Sequence, residues 1–267
     1  MLREMTFPGR ITATLADAAG DQQSPLLLIH GMFGGAWQFE EWQRRLAARG
    51  RSSVAIDLRG HCASGSVTDI GNVSLDDFLS DALGVARELQ APAVVGHSMG
   101  GLVAQKLAEK GAVTAAVLVC SAPPRWIPAL GTELLARMLR YSPALLFSRP
   151  LVPLRSDADA LFLDRVPAAE RDEIFARIQP ESGRAARELA LGAMAVDAKR
   201  VSCPVLSIGA ADDHFLPPRI ARAIARKYDA EYREYAEHGH YIVGEPGWER
   251  VVDDVAEWLA TRALTLS

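Results

Sequence analysis

Cysteine is scarce in this sequence: Cys62, Cys120 and Cys203 are the three in a chain of 267 residues. An odd number with no metal-ligand spacing supports neither a disulfide framework nor a zinc site. It points to free thiols in a reducing compartment. Long apolar runs are missing too. No stretch approaches the ~20 apolar residues that a membrane span needs. The first twenty residues, broken by Pro8, Gly9 and Arg10, lack the continuous apolar core of a secretory leader. The expectation is a cytoplasmic protein with no membrane partner. Basic runs are absent as well, and the net charge is −4, so nothing recommends nucleic acid as a partner. Neither G-x-x-x-x-G-K-[ST] nor a spaced G-x-G-x-x-G occurs, so no phosphate cradle and no cofactor are expected. Internal repeats and low-complexity tracts are also lacking.

What remains is 49% hydrophobic and 23% charged, which suits one large globular domain or a domain with an insertion. The apolar run Pro25–Ile29 reads as a strand buried on both faces and Ala115–Val119 as another buried strand, with further strands at Ser53–Ile56, Ala93–Val95 and Pro204–Ile208. Ile11–Ala16 reads as an edge strand, and Tyr232–Tyr235 as a last short one. Helical patterns separate them at Glu40–Arg49, Arg219–Tyr228 and Trp248–Thr261. A further helix begins after Ser74, an N-cap with Asp77 three residues on. Strands alternating with helices imply right-handed crossovers and a mostly parallel sheet covered on both faces. Between Arg125 and Asp197 the alternation stops. No convincing strand appears there, and Leu134, Leu135, Met138 and Leu139 form a helical stripe.

The densest chemical signal is Gly96-His97-Ser98-Met99-Gly100. A short strand precedes it and a helix follows. This is the G-x-S-x-G turn in which a strained serine presents its oxygen above the sheet edge. Side chains at Gly96 or Gly100 would collide with the neighbouring strand and helix. The helix aims its positive end and the Met99 N–H at the same point.

On His30-Gly31, this elbow, the acidic turn after Gly209, and Gly239-His240, the chain resembles an α/β-hydrolase with a helical cap. The resemblance implies an α/β fold: a mostly parallel central sheet flanked by helices, with residues 1–122 and 199–267 forming the core. Residues 123–198 form the inserted cap. It further implies Ser98 as nucleophile, an acid at Asp213 or Asp212, and His240 rather than His238 as base, in the chain order of the fold. Asp213 is favoured because it stands four residues before Pro217, while Asp212 has the commoner spacing from Gly209. Met32, after His30-Gly31, is implied as the second oxyanion donor beside Met99. Metal binding by the His and Asp residues of these loops is disfavoured, and Cys62, which replaces a common glycine, is a weak rival nucleophile.

The cap carries Trp126, Leu130, Leu134, Leu139, Leu145, Phe147 and Phe162, from which an apolar acyl or aryl pocket is expected. Trp126, Leu139 and Phe147 are candidate lining residues. Arg125 is the candidate for a charged substrate group. The expected activity is hydrolysis of small to medium carboxylic esters. A same-fold C–C hydrolase, perhydrolase or lactonase, and a weakly catalytic small-molecule receptor, are the alternatives. Oligomeric state is left open.

Overall fold

Four consecutive apolar residues in an extended chain must bury both faces, and Leu26–Ile29 do so in the computed structural model. The structure describes residues 1–21, 23–65, 67–128 and 132–263. Leu27 and Ile29 enter one hydrophobic core, and Leu26 and Leu28 the other. The strands are β1 (Leu2–Phe7), β2 (Ile11–Ala16), β3 (Leu26–Ile29), β4 (Ser53–Ile56), β5 (Ala93–His97) and β6 (Ala115–Val119). They continue with β7 (Pro150–Leu151), β8 (Glu181–Ser182), β9 (Val205–Ala210) and β10 (Glu231–Tyr235). The main sheet has the order β1-β2-β4-β3-β5-β6-β9-β10. Strands from β4 to β10 in that order run parallel, and β2 is antiparallel to both β1 and β4.

Ile11–Ala16 is therefore not an edge. β1 covers it, and β1 has no clean alternation in sequence because the edge strand is largely exposed, with only Phe7 buried. On one face of the sheet lie α2 (Leu75–Glu88), α3 (Met99–Glu109) and α9 (Pro218–Tyr228). On the other lie α1 (Glu40–Ala48) and α10 (Trp248–Ala263), whose Trp42, Leu46, Val251, Val255 and Trp258 close the second core. Ser74 caps α2 through a reciprocal box: its hydroxyl accepts from the Asp77 N–H, and the Asp77 carboxylate accepts from the Ser74 N–H.

The segment between β6 and β9 is built of short helices, α4 (Thr132–Met138), α5 (Ser142–Leu146), α6 (Arg155–Leu161), α7 (Arg171–Ala176) and α8 (Gly183–Ala190). It also contains the two-residue antiparallel pair β7–β8, which carries too few residues for a periodic signal. Ile174 lies on α7. Leu130 lies outside the described residues. The segment is pinned to the core where the Ser182 hydroxyl reaches the Gly71 and Val73 carbonyls, at 3.0 and 2.5 Å. Among the described residues no helix is long and apolar enough to cross a membrane.

Candidate active site

β5 ends at His97 and α3 begins at Met99, so Ser98 alone turns the chain, at φ 53 and ψ −118. A non-glycine residue there is strained and must be held by its surroundings. The Ser98 N–H donates to the Val119 carbonyl at 3.0 Å, and its carbonyl accepts from the Gly101 and Ala122 amides. Strand and helix meet too closely for side chains. A Cβ on Gly96 would stand 2.2 Å from the Gly100 carbonyl oxygen, and one on Gly100 would stand 2.3 Å from that of Ile29.

Ser98 Oγ lies 3.0 Å from His240 Nε2, and His240 Nδ1 lies 2.8 Å from Asp213 Oδ2. A carboxylate only accepts, so Nδ1 carries the proton and Nε2 is free to accept from the serine hydroxyl. All three residues are buried. The other Asp213 oxygen accepts from the Phe215 and Leu216 amides, at 2.9 and 2.7 Å, which fixes the carboxylate. Such a chain can draw a proton from the serine as the oxygen attacks.

Two further histidines hold the backbone around it. His97 Nε2 donates to the His240 carbonyl at 2.8 Å, and burial drives its pKa down to about 3, so the ring is neutral. His30 Nε2 accepts from the Leu58 N–H, and its Nδ1 donates to the Gly31 carbonyl. Burial, with His61 nearby, lowers its pKa to about 3 as well. The loop after His30 passes directly over the serine: a Cβ on Gly31 would stand 2.8 Å from Ser98 Cβ. The backbone of Met32 follows in that loop, and Met99 opens α3 from the other side.

Two cavities reach Ser98. The larger, about 90 Å³, is almost wholly apolar and runs from Met32, Phe33 and Ser98 to Leu134, Met138, Leu161 and Leu189, with Tyr141 and Asp157 also in its wall. The smaller, about 40 Å³, is bounded by Ser98, His240, Trp37, Gln38, Ile174 and Tyr241. Phe33, Phe162 and Phe215 line both. Phe33 stacks on Phe162 with centroids 6.2 Å apart, Phe162 meets Phe215 edge-on, and Phe215 meets the His240 ring at 5.0 Å.

Residues 26–255 match the profile of the Alpha/beta hydrolase family. The chain belongs to that family. Among similar proteins is a monoacylglycerol lipase of Mycolicibacterium smegmatis, 24% identical over 251 residues, or 90% of this chain and 89% of the relative. Another is a putative carbamate hydrolase, RutD, of Variovorax paradoxus, 28% identical over 238 residues, or 84% and 88% of the two chains. Among solved structures, a Paleococcus ferrophilus monoacylglycerol lipase shares the fold with a TM-score of 0.73 at 20% identity, covering 94% of this chain and 99% of that one.

Within this α/β-hydrolase framework, some residues singled out in the sequence lie away from the site. Asp212 faces outward to Arg165 at 2.5 Å. His238 stands 3.4 Å from Glu245 and against Tyr235, not at the serine. Trp126, Leu139 and Phe147 are 88%, 66% and 68% exposed, and line neither cavity. Leu134 and Met138, one helical turn apart on α4, face the larger cavity, while Leu139 opens the 3-10 turn that follows and is exposed. The Arg125 guanidinium is occupied by the Gly192 and Ala193 carbonyls, at 3.1 and 2.8 Å. Burial and the neighbouring Asp57 push the Cys62 thiol up to about 12, which suppresses the thiolate a nucleophile needs. All three cysteines are free. No group of described residues has the makings of a metal site. The aromatic partition leaves no periodic mark in the sequence: Phe33 follows Met32 in a glycine-rich loop, and Phe215 stands two residues past Asp213.

Proposed function

We propose that the protein is a serine hydrolase that cleaves carboxylic esters of small to medium apolar substrates through an acyl-enzyme on Ser98. The observation that carries this reading is the Ser98–His240–Asp213 chain opening into an apolar cavity. Ser98 Oγ attacks the ester carbonyl while its proton passes to His240 Nε2, and Asp213 stabilises the resulting imidazolium. The Met32 and Met99 amides receive the oxyanion. Collapse breaks the C–O bond, and His240 returns the proton to the departing alcohol oxygen. Water then repeats the sequence on the acyl-enzyme and frees the acid. Residues 123–198 serve as the cap that roofs the serine.

Proton return decides which cavity takes which half of the substrate. His240 lines the smaller cavity and not the larger, so the alcohol leaves through the smaller one and the acyl chain occupies the larger. The larger is small beside the ~150 Å³ apolar cavity that admits benzene, which favours short chains. The names of the relatives, a monoacylglycerol lipase and a putative carbamate hydrolase, agree with attack at a carbonyl carbon. A fluorophosphonate probe tests the reading. It should label the wild type and leave Ser98→Ala unlabelled, with p-nitrophenyl acetate or butyrate turnover lost in parallel. Undiminished turnover by Ser98→Ala would overturn it.

A further inference from the structure

A buried histidine–glutamate pair joins the segment between β6 and β9 to the turn after β4. His61 and Glu181 are both 0% exposed, with Nε2 and Oε2 3.3 Å apart. His61 Nδ1 faces the Arg59 carbonyl at 3.2 Å. A carbonyl beside one ring nitrogen and a carboxylate beside the other both favour the protonated ring, and they raise the His61 pKa against the opposing effect of burial. A buried charge persists only when paired and hydrogen-bonded. The Glu181 carboxylate meets that condition: Oε1 accepts the Ser182 N–H at 2.6 Å and Oε2 the Phe33 N–H at 3.3 Å.

Phe33 is the consequential contact. It directly follows Met32, and its φ of 65 is a strained conformation for a bulky residue. Both of its backbone groups are held from the cap segment, the N–H by Glu181 and the carbonyl by the Gln179 amide at 2.9 Å. Residues 179–182 are in turn anchored to the core by the Ser182 hydroxyl.

We propose that Glu181, secured by His61, is a positioning residue that clamps Phe33 and thereby aims the Met32 N–H at the oxyanion. The proposal rests on the reading of Met32 as an oxyanion donor. Glu181 touches no substrate, and acts on the transition state through the loop. Loss of the clamp leaves ground-state binding intact and weakens whatever depends on a tetrahedral oxygen.

The test compares Glu181→Ala, Glu181→Gln and wild type on a soluble p-nitrophenyl ester. It also measures inhibition by an alkylboronic acid, which forms a tetrahedral adduct on the serine, and by the matching primary alcohol, which does not. Removing an oxyanion donor outright costs roughly 10² to 10³ in kcat, so misaiming one should cost at least about tenfold. Glu181→Ala is expected to lose that in kcat with KM within about threefold, and to weaken the boronic acid but not the alcohol. Glu181→Gln, whose amide oxygen can still accept the Phe33 N–H, recovers most of the loss. Gln179→Pro, which removes the N–H that the Phe33 carbonyl accepts, should lower kcat in the same sense should Glu181→Ala fail to fold. Wild-type kcat in Glu181→Ala, or parallel losses for boronic acid and alcohol, would overturn this proposal alone. A wild-type enzyme silent toward ester and boronic acid alike would overturn the serine-hydrolase reading with it.

Discussion

At the scale of single residues, a short distance separates partners from neighbours. His240 stands 3.0 Å from Ser98 Oγ, whereas His238, two positions away, stands 3.4 Å from Glu245. His240→Ala should therefore lose nearly as much turnover as Ser98→Ala, on the order of 10⁴ to 10⁶, because the members of such a unit fail together. His238→Ala should lose far less. Equal losses measured on p-nitrophenyl butyrate would show that the wrong imidazole has been assigned. The two aspartates divide the same way. Asp213→Asn removes the charge facing the imidazolium and should be severe, while Asp212→Asn only releases Arg165. A larger loss in Asp212→Asn would reverse that assignment.

At the scale of elements, the elbow and α4 make different demands. The elbow tolerates no added atom, since a Cβ on Gly100 would press into the Ile29 carbonyl of β3. Gly100→Ala should destabilise the fold by about 1 to 3 kcal/mol or more, read as a lower urea midpoint at unchanged m-value. Helix α4 presents Leu134 and Met138 to the cavity, and Leu139, in the 3-10 turn that follows it, is exposed. Met138→Ala should shift the preferred acyl chain toward longer esters, since each buried methylene contributes about 0.8 kcal/mol. Leu139→Ala should leave the chain-length profile as it is. A profile that moves with Leu139 and not with Met138 would mean that the cavity wall has been assigned to the wrong face.

At the scale of the whole molecule, the segment between β6 and β9 meets the core at the buried His61–Glu181 pair. Burial opposes the charge on His61, but Glu181, the Arg59 carbonyl and Asp57 outweigh it and raise its pKa above the usual 6.5. The other titratable ring against it, His30, stays neutral. A group whose folded pKa is raised contributes stability fully below the unfolded value, and loses that contribution as pH rises through the folded one. The Tm advantage of wild type over His61→Gln should accordingly be largest below about pH 6.5 and shrink toward alkaline pH. An advantage independent of pH would show that His61 is not charged in the folded protein.

The sequence by itself determined what depends on local backbone demands. The elbow, the order serine, acid, histidine, the capped α2 and the parallel strands all leave marks in residue type, because close approach, strain and two-sided burial each admit few side chains. Even there a limit shows at Asp212 and Asp213, where adjacent residues of one type differ only in which way the turn points them. The tertiary structure alone decided what depends on a partner distant in the chain. Leu134, Leu135, Met138 and Leu139 are all apolar, so hydrophobicity cannot say which of them meet the cavity; the packing around α4 and the turn after it does. Ile11–Ala16 becomes an interior strand only because Leu2–Phe7 pairs along it. The raised pKa of His61 is unreadable beside Arg59 and Gly60 in sequence, since the glutamate that raises it is brought in by folding from position 181.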